Sequence, residues 1–539
     1  MEPSHPIRAR SRRSTHPAAA LAAMVGAAVL VVAPLAAASP AAAQVAEAWV
    51  RATPIEALGV WHSARLTAMG DLTIASEDRF SRLNAYEYGM NPAGLLSARD
   101  TSWVEQGSEY EKYEDTYYDQ SNSAHMRKSG IRGAAVKDRW ALGADVVYGA
   151  ISASRHDLLS TPDNGRFIRD FDMPFATSAR PILGDRTVGA TVSYPGLAVS
   201  YARRFRPWLT LGGRFGYRKE TENRRIVDPY NFDASATASA YTAGAVIRPP
   251  RVGHVVRIAG FGQYIKNDVL ATSQTPLNDD RFDWERPTVA YGAELLVRSG
   301  SLRGIVDGRH RSYDGEQVAN VNWAPQFFMN PFPSTTDPRF VFKKRWSSFL
   351  AGLRHNEVST RWMADLPWLS AHLGLEWGYY REFEWVRPNP AVLQMALPLD
   401  VRRLGYRAGT GIAVDLPGGA GQVAAEVRGT RDYRSDLLRT LPDLTAQTLS
   451  YHFGAEYRVL RWLPIRGGVA LLRYDPDRRD GSPPNKGIRA SVGAGTYWAA
   501  IGSQIDLAFA HEHSHFSPLD PSSEIGSGDQ AVLTVSRLF

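Results

Sequence analysis

The chain has 539 residues, 44% of them apolar and 22% charged, with a formal net charge of +7 and no cysteine. Beyond the N-terminus no stretch approaches the roughly 18 unbroken apolar residues of a membrane helix, so a helical membrane protein is excluded. The lack of cysteine excludes disulfide scaffolds, thiolate zinc sites, iron–sulfur clusters and thiol nucleophiles.

In chain order, the first element is basic and then apolar. Arg8, Arg10, Arg12 and Arg13 precede a run of small apolar residues from Ala18 to Ala38, and Ala41, Ala42 and Ala43 offer an A-x-A cleavage pattern. Residues 1–43 are expected to be a cleaved secretory signal. The mature chain would then begin at Gln44 with 539 − 43 = 496 residues. Removing four Arg and Glu2 lowers the net charge from +7 to +4, and with both signs interleaved this leaves no nucleic-acid footprint.

Residues 44–100 do not alternate. They contain Met69-Gly70-Asp71 and then Asn91-Pro92-Ala93-Gly94-Leu95. On this second motif the sequence resembles the long-chain fatty-acid transporter family of outer-membrane proteins (FadL-type) and its broader relatives. That resemblance implies an N-terminal hatch, residues 44–100, plugging a barrel that begins near residue 101, with Asn91, Pro92, Ala93, Gly94 and Leu95 as the plug motif. It also implies a hydrophobic small-molecule cargo. Read without the resemblance, Asn and Pro favour a tight turn at the same place.

From residue 101 onward the informative feature is period-two alternation, which puts one set of side chains on each face of a strand. Leu209, Leu211, Phe215 and Tyr217 interleave with Thr210, Gly212, Arg214 and Gly216. Val289, Tyr291, Ala293, Leu295 and Val297 repeat the pattern, as do Tyr451, Phe453, Ala455, Tyr457 and Val459 against His452, Gly454, Glu456 and Arg458. Short separators fall near Asp138-Arg139, Arg206-Pro207, Pro249-Pro250-Arg251, Ser299-Gly300-Ser301, Leu366-Pro367, Pro417-Gly418-Gly419, Leu460-Arg461 and Ala499-Ala500. Longer ones, such as His156 to Gly184, Asp314 to Arg339 and Asp475 to Lys486, lie between them. Short turns on one side and long loops on the other point to an all-β, transmembrane antiparallel outer-membrane β-barrel.

Eight short turns account for sixteen strands, and a first and a last strand raise the count to about 18, with 14 to 18 allowed because the family barrel is typically smaller. Pro195-Gly196 must then be a kink within one strand, since another turn there would make the count odd. Trp140, Trp208, Trp368, Trp462 and Trp498 all adjoin short turns, as an interfacial girdle would. The chain closes on a strand whose Leu533, Val535 and Phe539 share a face, resembling the signal read by the outer-membrane barrel insertion machinery.

Two other constellations bear on chemistry. Trp323, Phe327, Phe328, Met329 and Phe332 make the loop Asp314–Arg339 a candidate capture site for a hydrophobic ligand, because exposed loops are normally polar. His511-Glu512-His513-Ser514-His515 satisfies H-E-x-x-H, but it follows a strand rather than lying on a helix. His511, His513 and His515 would share one strand face, a weak metal site at most. No catalytic residue, enzyme activity or cofactor is expected.

The sequence therefore predicts an outer-membrane channel for passive uptake of hydrophobic or amphipathic small molecules. Its expected partners are outer-membrane lipids and lipopolysaccharide, the barrel insertion machinery and a hydrophobic ligand. The alternative is a non-transporting surface barrel that binds proteins or anchors a secretion system.

Overall fold

The computed structural model describes residues 62–75, 91–98, 102–117, 120–156, 187–193, 195–226, 230–253, 255–274, 279–322, 344–388, 399–436, 444–476, 485–498, 502–514 and 525–539. The expected signal at residues 1–43 lies outside them.

The strands run in chain order as one antiparallel sheet. They are β1 (Trp103–Tyr117), β2 (Gln120–Lys137), β3 (Trp140–His156), β4 (Thr187–Ser193 and Gly196–Arg206), β5 (Leu209–Ile226) and β6 (Tyr230–Ile247). Next come β7 (Val256–Gln274), β8 (Asp279–Ser299), β9 (Leu302–Asn322), β10 (Lys344–Leu366), β11 (Ala371–Pro388) and β12 (Leu399–Asp415). The last six are β13 (Gly421–Asp436), β14 (Leu444–Leu460), β15 (Leu463–Pro476), β16 (Asn485–Trp498), β17 (Ser503–Ser514) and β18 (Ile525–Leu538). Each pairs with its neighbours in sequence, and β1 pairs with β18 from Trp103 opposite Leu538 to Thr116 opposite Ile525. The result is a closed 18-strand barrel, which leaves no sheet edge unpaired.

The two segments of β4 are halves of one strand. Both pair with β3 and with β5, and the ladder is interrupted between Ser193 and Gly196. Pro195 lacks the N–H that the ladder would use, and its carbonyl still accepts from Lys219 N at 3.0 Å.

Polarity is inverted relative to a soluble protein. On β14, Tyr451, Phe453, Tyr457 and Val459 are exposed on the outer surface, while His452 and Glu456 are buried on the inner one. The same holds on β5, where Leu211, Phe215 and Tyr217 face outward and Arg214 and Arg218 are buried. An apolar exterior round a polar interior is the pattern of a barrel in lipid. Trp140, Trp208, Trp368, Trp462 and Trp498 are all exposed beside short turns. At the β8–β9 turn Gly300 adopts φ +57°, a left-handed backbone that favours glycine.

One expected boundary is corrected. β9 continues to Asn322 and pairs with β10 along its whole length, so Asp314–Asn322 is strand and not the first part of a loop. Asp, Gly and Glu at 314–316 suggest a turn by composition. A strand that rises past the apolar band can carry polar residues because ladder pairing overrides local preference.

Candidate functional site

Two N-terminal pieces lie against the inside of the wall, toward the short-turn end. The first spans residues 62–75. Ser63 caps helix α1 (Ala64–Ala68), its Oγ accepting from Leu66 N at 3.3 Å. Gly70 and Asp71 follow at φ +80° and +61°, reversing the chain after a single helical turn. The wall provides room for this turn at glycines. A Cβ on Gly493 of β16 would lie 2.5 Å from Ala68 Cβ, and one on Gly374 of β11 would lie 2.5 Å from the Ile74 carbonyl oxygen. Gly454 and Gly468 abut Met69 and Gly70 more closely still.

Polar side chains of the wall then fasten residues 62–75. Glu426 of β13, fully buried, accepts from Thr73 N at 2.9 Å, Ile74 N at 2.7 Å and Ala75 N at 2.9 Å. Arg428 donates to the same carboxylate at 2.6 Å and also to the Asp71 carbonyl. His452 of β14 donates from Nδ1 to the Gly70 carbonyl at 2.6 Å, and Ser491 of β16 donates to the Ala68 carbonyl at 3.1 Å. Arg65 of the segment donates to Glu456 at 2.8 Å, alongside Arg466, which is also 2.6 Å from Asp506. Arg489 lies 3.1 Å from Asp71. At the start of the segment, His62 Nδ1 donates to Glu109 Oε1 of β1 at 2.5 Å. Partial desolvation against the wall opposes the charged imidazole, but the hydrogen bond and charge of Glu109, aided by Asp71, hold the His62 pKa above its ordinary value.

The second piece is attached differently. Asn91 caps a 3₁₀ turn (Pro92–Gly94), accepting from Ala93 N at 3.0 Å, and helix α2 (Leu95–Ala98) follows. The Asn91 amide also donates to the Ala245 carbonyl at 3.0 Å and the Gly260 carbonyl at 3.2 Å, on β6 and β7. The same carboxamide thus closes the turn and ties it to the wall. Leu95 and Leu96 are buried with Trp103, Ala134, Ala141 and Ala202 on β1–β4, and Ala93 packs on Val246 and Ala259. Burying each Leu contributes about 1.5–3 kcal/mol. A Cβ on Gly212, three residues past the start of β5, would lie 2.5 Å from Ala93 N. The motif residues Asn91, Pro92, Ala93, Gly94 and Leu95 are all buried.

Among the other residues singled out by sequence, Trp323, Phe327, Phe328, Met329, Phe332 and His515 lie outside the described residues. His511 is on β17 and faces outward, 2.8 Å from Asp529, whereas Glu512 faces inward near Arg489. A strand therefore places His511 and Glu512 on opposite faces. Leu533 and Phe539 are exposed on the outer surface, with the Arg537 guanidinium 4.7 Å from the Phe539 ring centroid. Sequence reasoning did not single out Glu109, Glu426, Arg428, Arg466 or Arg489. Their period-two placement on the polar face was legible, but their partners were not.

No protein-family model and no curated protein matches this sequence. Solved structures do match. The solved structures that resemble it include FadL-type barrels. The P. putida toluene transporter TodX is 12% identical, with 89% of this chain and 99% of that chain covered and a TM-score of 0.35. The Ralstonia pickettii toluene transporter TbuX is 12% identical, with 89% and 99% covered and a TM-score of 0.32. A Pseudomonas aeruginosa FadL homologue is 11% identical, with 93% and 99% covered and a TM-score of 0.33. The barrel assignment rests on the closed ladder described above and not on these values.

Proposed function

We propose that this chain is an outer-membrane channel for passive uptake of hydrophobic or amphipathic small molecules, in which residues 44–100 form a plug. The observation that carries this reading is the seating of residues 62–75 and 91–98 inside the barrel, against two walls of different chemistry. Above residues 91–96, Val147, Ala238, Ala240 and Ile265 form an apolar cluster on the inner face of β3, β6 and β7. An apolar stripe beside a polar one suits a cargo with a greasy body and a polar end.

The outward face supports the proposed lipid partners. Toward the long-loop end, Arg354 lies over Trp385 at 5.4 Å and Arg402 over Phe383 at 5.9 Å, with Phe383 between the two arginines in register and Arg381 exposed two residues along the same strand. Guanidinium groups above aromatic rings fit the phosphates of lipopolysaccharide. The outward Leu533 and Phe539 on the last strand are compatible with a signal for the insertion machinery. Export would be directed by residues 1–43.

Uptake of a fluorescent long-chain fatty acid by cells expressing the protein tests the transport reading. We expect saturable uptake above vector-only cells, reduced severalfold by Ile265→Asp at equal amounts of folded barrel. Uptake no greater than the control would favour the surface-scaffold alternative.

A further inference from the structure

At His62, the first described residue of the N-terminal segment, the wall presents two buried carboxylates. Glu109 and Glu111 are two residues apart on β1, so both side chains point to the inner face. Gln530 of β18 donates from Nε2 to Glu109 Oε1 at 2.7 Å and to Glu111 Oε1 at 3.0 Å, which holds the two carboxylates facing one another. His62 completes the group, and one ligand atom from each of His62, Glu109 and Glu111 lies within 4.8 Å of the others. The His62 side chain is 56% exposed while Glu109 is fully buried, so the cluster has a closed floor and an open entrance.

One imidazole nitrogen and two carboxylates form a donor set for a borderline divalent transition metal. Zinc bonds at about 2.0–2.2 Å would require the three ligand atoms to rearrange around the point now taken by Gln530 Nε2, which lies 3.3 Å from His62 Nδ1 and must swing aside, with a water at the fourth position. Calcium, which takes 6–8 oxygen ligands, is a poorer fit. Two carboxylates also balance a dipositive ion. Lys128 is an opposing charge, its Nζ 3.7 Å from Glu109 Oε2, the oxygen that also accepts from the His62 backbone N–H at 3.3 Å. Asp71 and Arg489, paired at 3.1 Å, are the other charged groups nearby.

We propose that His62, Glu109 and Glu111 form a divalent transition-metal site, with zinc as its representative ion, that fastens residues 62–75 to β1. The metal replaces the proton shared between His62 Nδ1 and Glu109, and that proton is released to solvent. Binding therefore strengthens as pH rises. The site stands on its own geometry; only its effect on channel opening rests on the plug reading above.

Calorimetric titration of the detergent-solubilised mature protein with zinc tests the site. The expected result is one zinc per chain, with affinity at least ~10-fold weaker in His62→Ala and in Glu111→Gln. His511→Ala, on the outer surface, should bind as the wild type does. Both test variants leave the barrel ladder intact, and gel heat-modifiability verifies folding. Zinc should also slow proteolysis of residues 62–75 in the wild type and not in His62→Ala. Equal affinity in wild type and His62→Ala, or no binding by a folded wild type, would overturn the site. Binding without protection would overturn the fastening role. Neither readout involves cargo, so failure of the uptake reading would leave both intact.

Discussion

The two inner walls both pack apolar side chains of their N-terminal pieces, and they differ in what they add to that packing. Residues 62–75 pack Ala64, Ala68, Met69, Leu72 and Ala75 against Ala413, Ala424, Ala508 and Val532, and are also bound to β10–β18 and β1 by charges and hydrogen bonds, with Glu426 alone receiving three main-chain N–H donors. Residues 91–98 are bound to β1–β7 by buried Leu95, Leu96 and Ala93 and by one asparagine side chain. The difference bears on which piece can move. Buried ion pairs such as those of Glu426 and Glu456 contribute little net while paired, because desolvation offsets their attraction, but become costly once one partner is removed. Apolar packing, present at both pieces, holds through changes of pH and salt. Residues 62–75 are therefore the piece whose docking responds to pH and to loss of a charged partner, and residues 91–98 the piece held by packing and one asparagine.

The largest expected effect comes from Glu426→Leu, which leaves the partly exposed Arg428 without its carboxylate and three main-chain donors unmet. We expect docking of residues 62–75 to weaken by about 3–5 kcal/mol. Hydrogen exchange at Thr73–Ala75 reads this directly, and exchange at Leu95–Ala98 should not change. Next, Leu95→Ala should loosen residues 91–98 by about 2–3 kcal/mol, toward the low end of core truncations because one side of the site can relax into the lumen. Loss of protection at residues 62–75 in that variant would break the independence of the two walls.

Much of the fold could be read from sequence. Alternation, eight short turns and the tryptophans beside them are local signals, and they lead to the strand count and to the kink at Pro195. The resemblance on Asn91–Leu95 directed attention to a segment that the structure seats against β5–β7. The other half of the site could not be read, because most of the pairs that join it to the wall lie hundreds of positions apart. His452 and Gly70 are 382 residues apart in sequence, and Glu426 and Thr73 are 353 apart. Closing the barrel brings them together, whereas on a single strand Glu426 or His452 is only a residue of the polar face. The extent of β9 was misread for the converse reason, since composition at Asp314–Glu316 indicates a turn that pairing with β10 overrides.

A smaller effect is expected from Asn91→Ala, which removes a cap and two ties to the wall and should cost about 1–2 kcal/mol. Thermal release of residues 91–98, followed by a label at Ser97, measures it. The smallest effect is that of pH. Because the folded His62 pKa lies above its ordinary 6.5, its contact with Glu109 contributes fully below that value and is lost as pH rises through the raised one. In metal-free buffer, exchange protection at Ala64–Leu66, corrected for intrinsic rates, should therefore fall with rising pH while that at Leu95–Ala98 stays level. Parallel loss at both pieces would erase the proposed distinction.

The central claim is that the N-terminal residues occlude the barrel, and single-channel recording in planar bilayers tests it most directly. The intact mature chain should conduct poorly, and deletion of residues 44–99 should give a folded barrel with a large, steady ionic conductance. Equal conductance in the two proteins, with both barrels shown to be folded, would contradict the account.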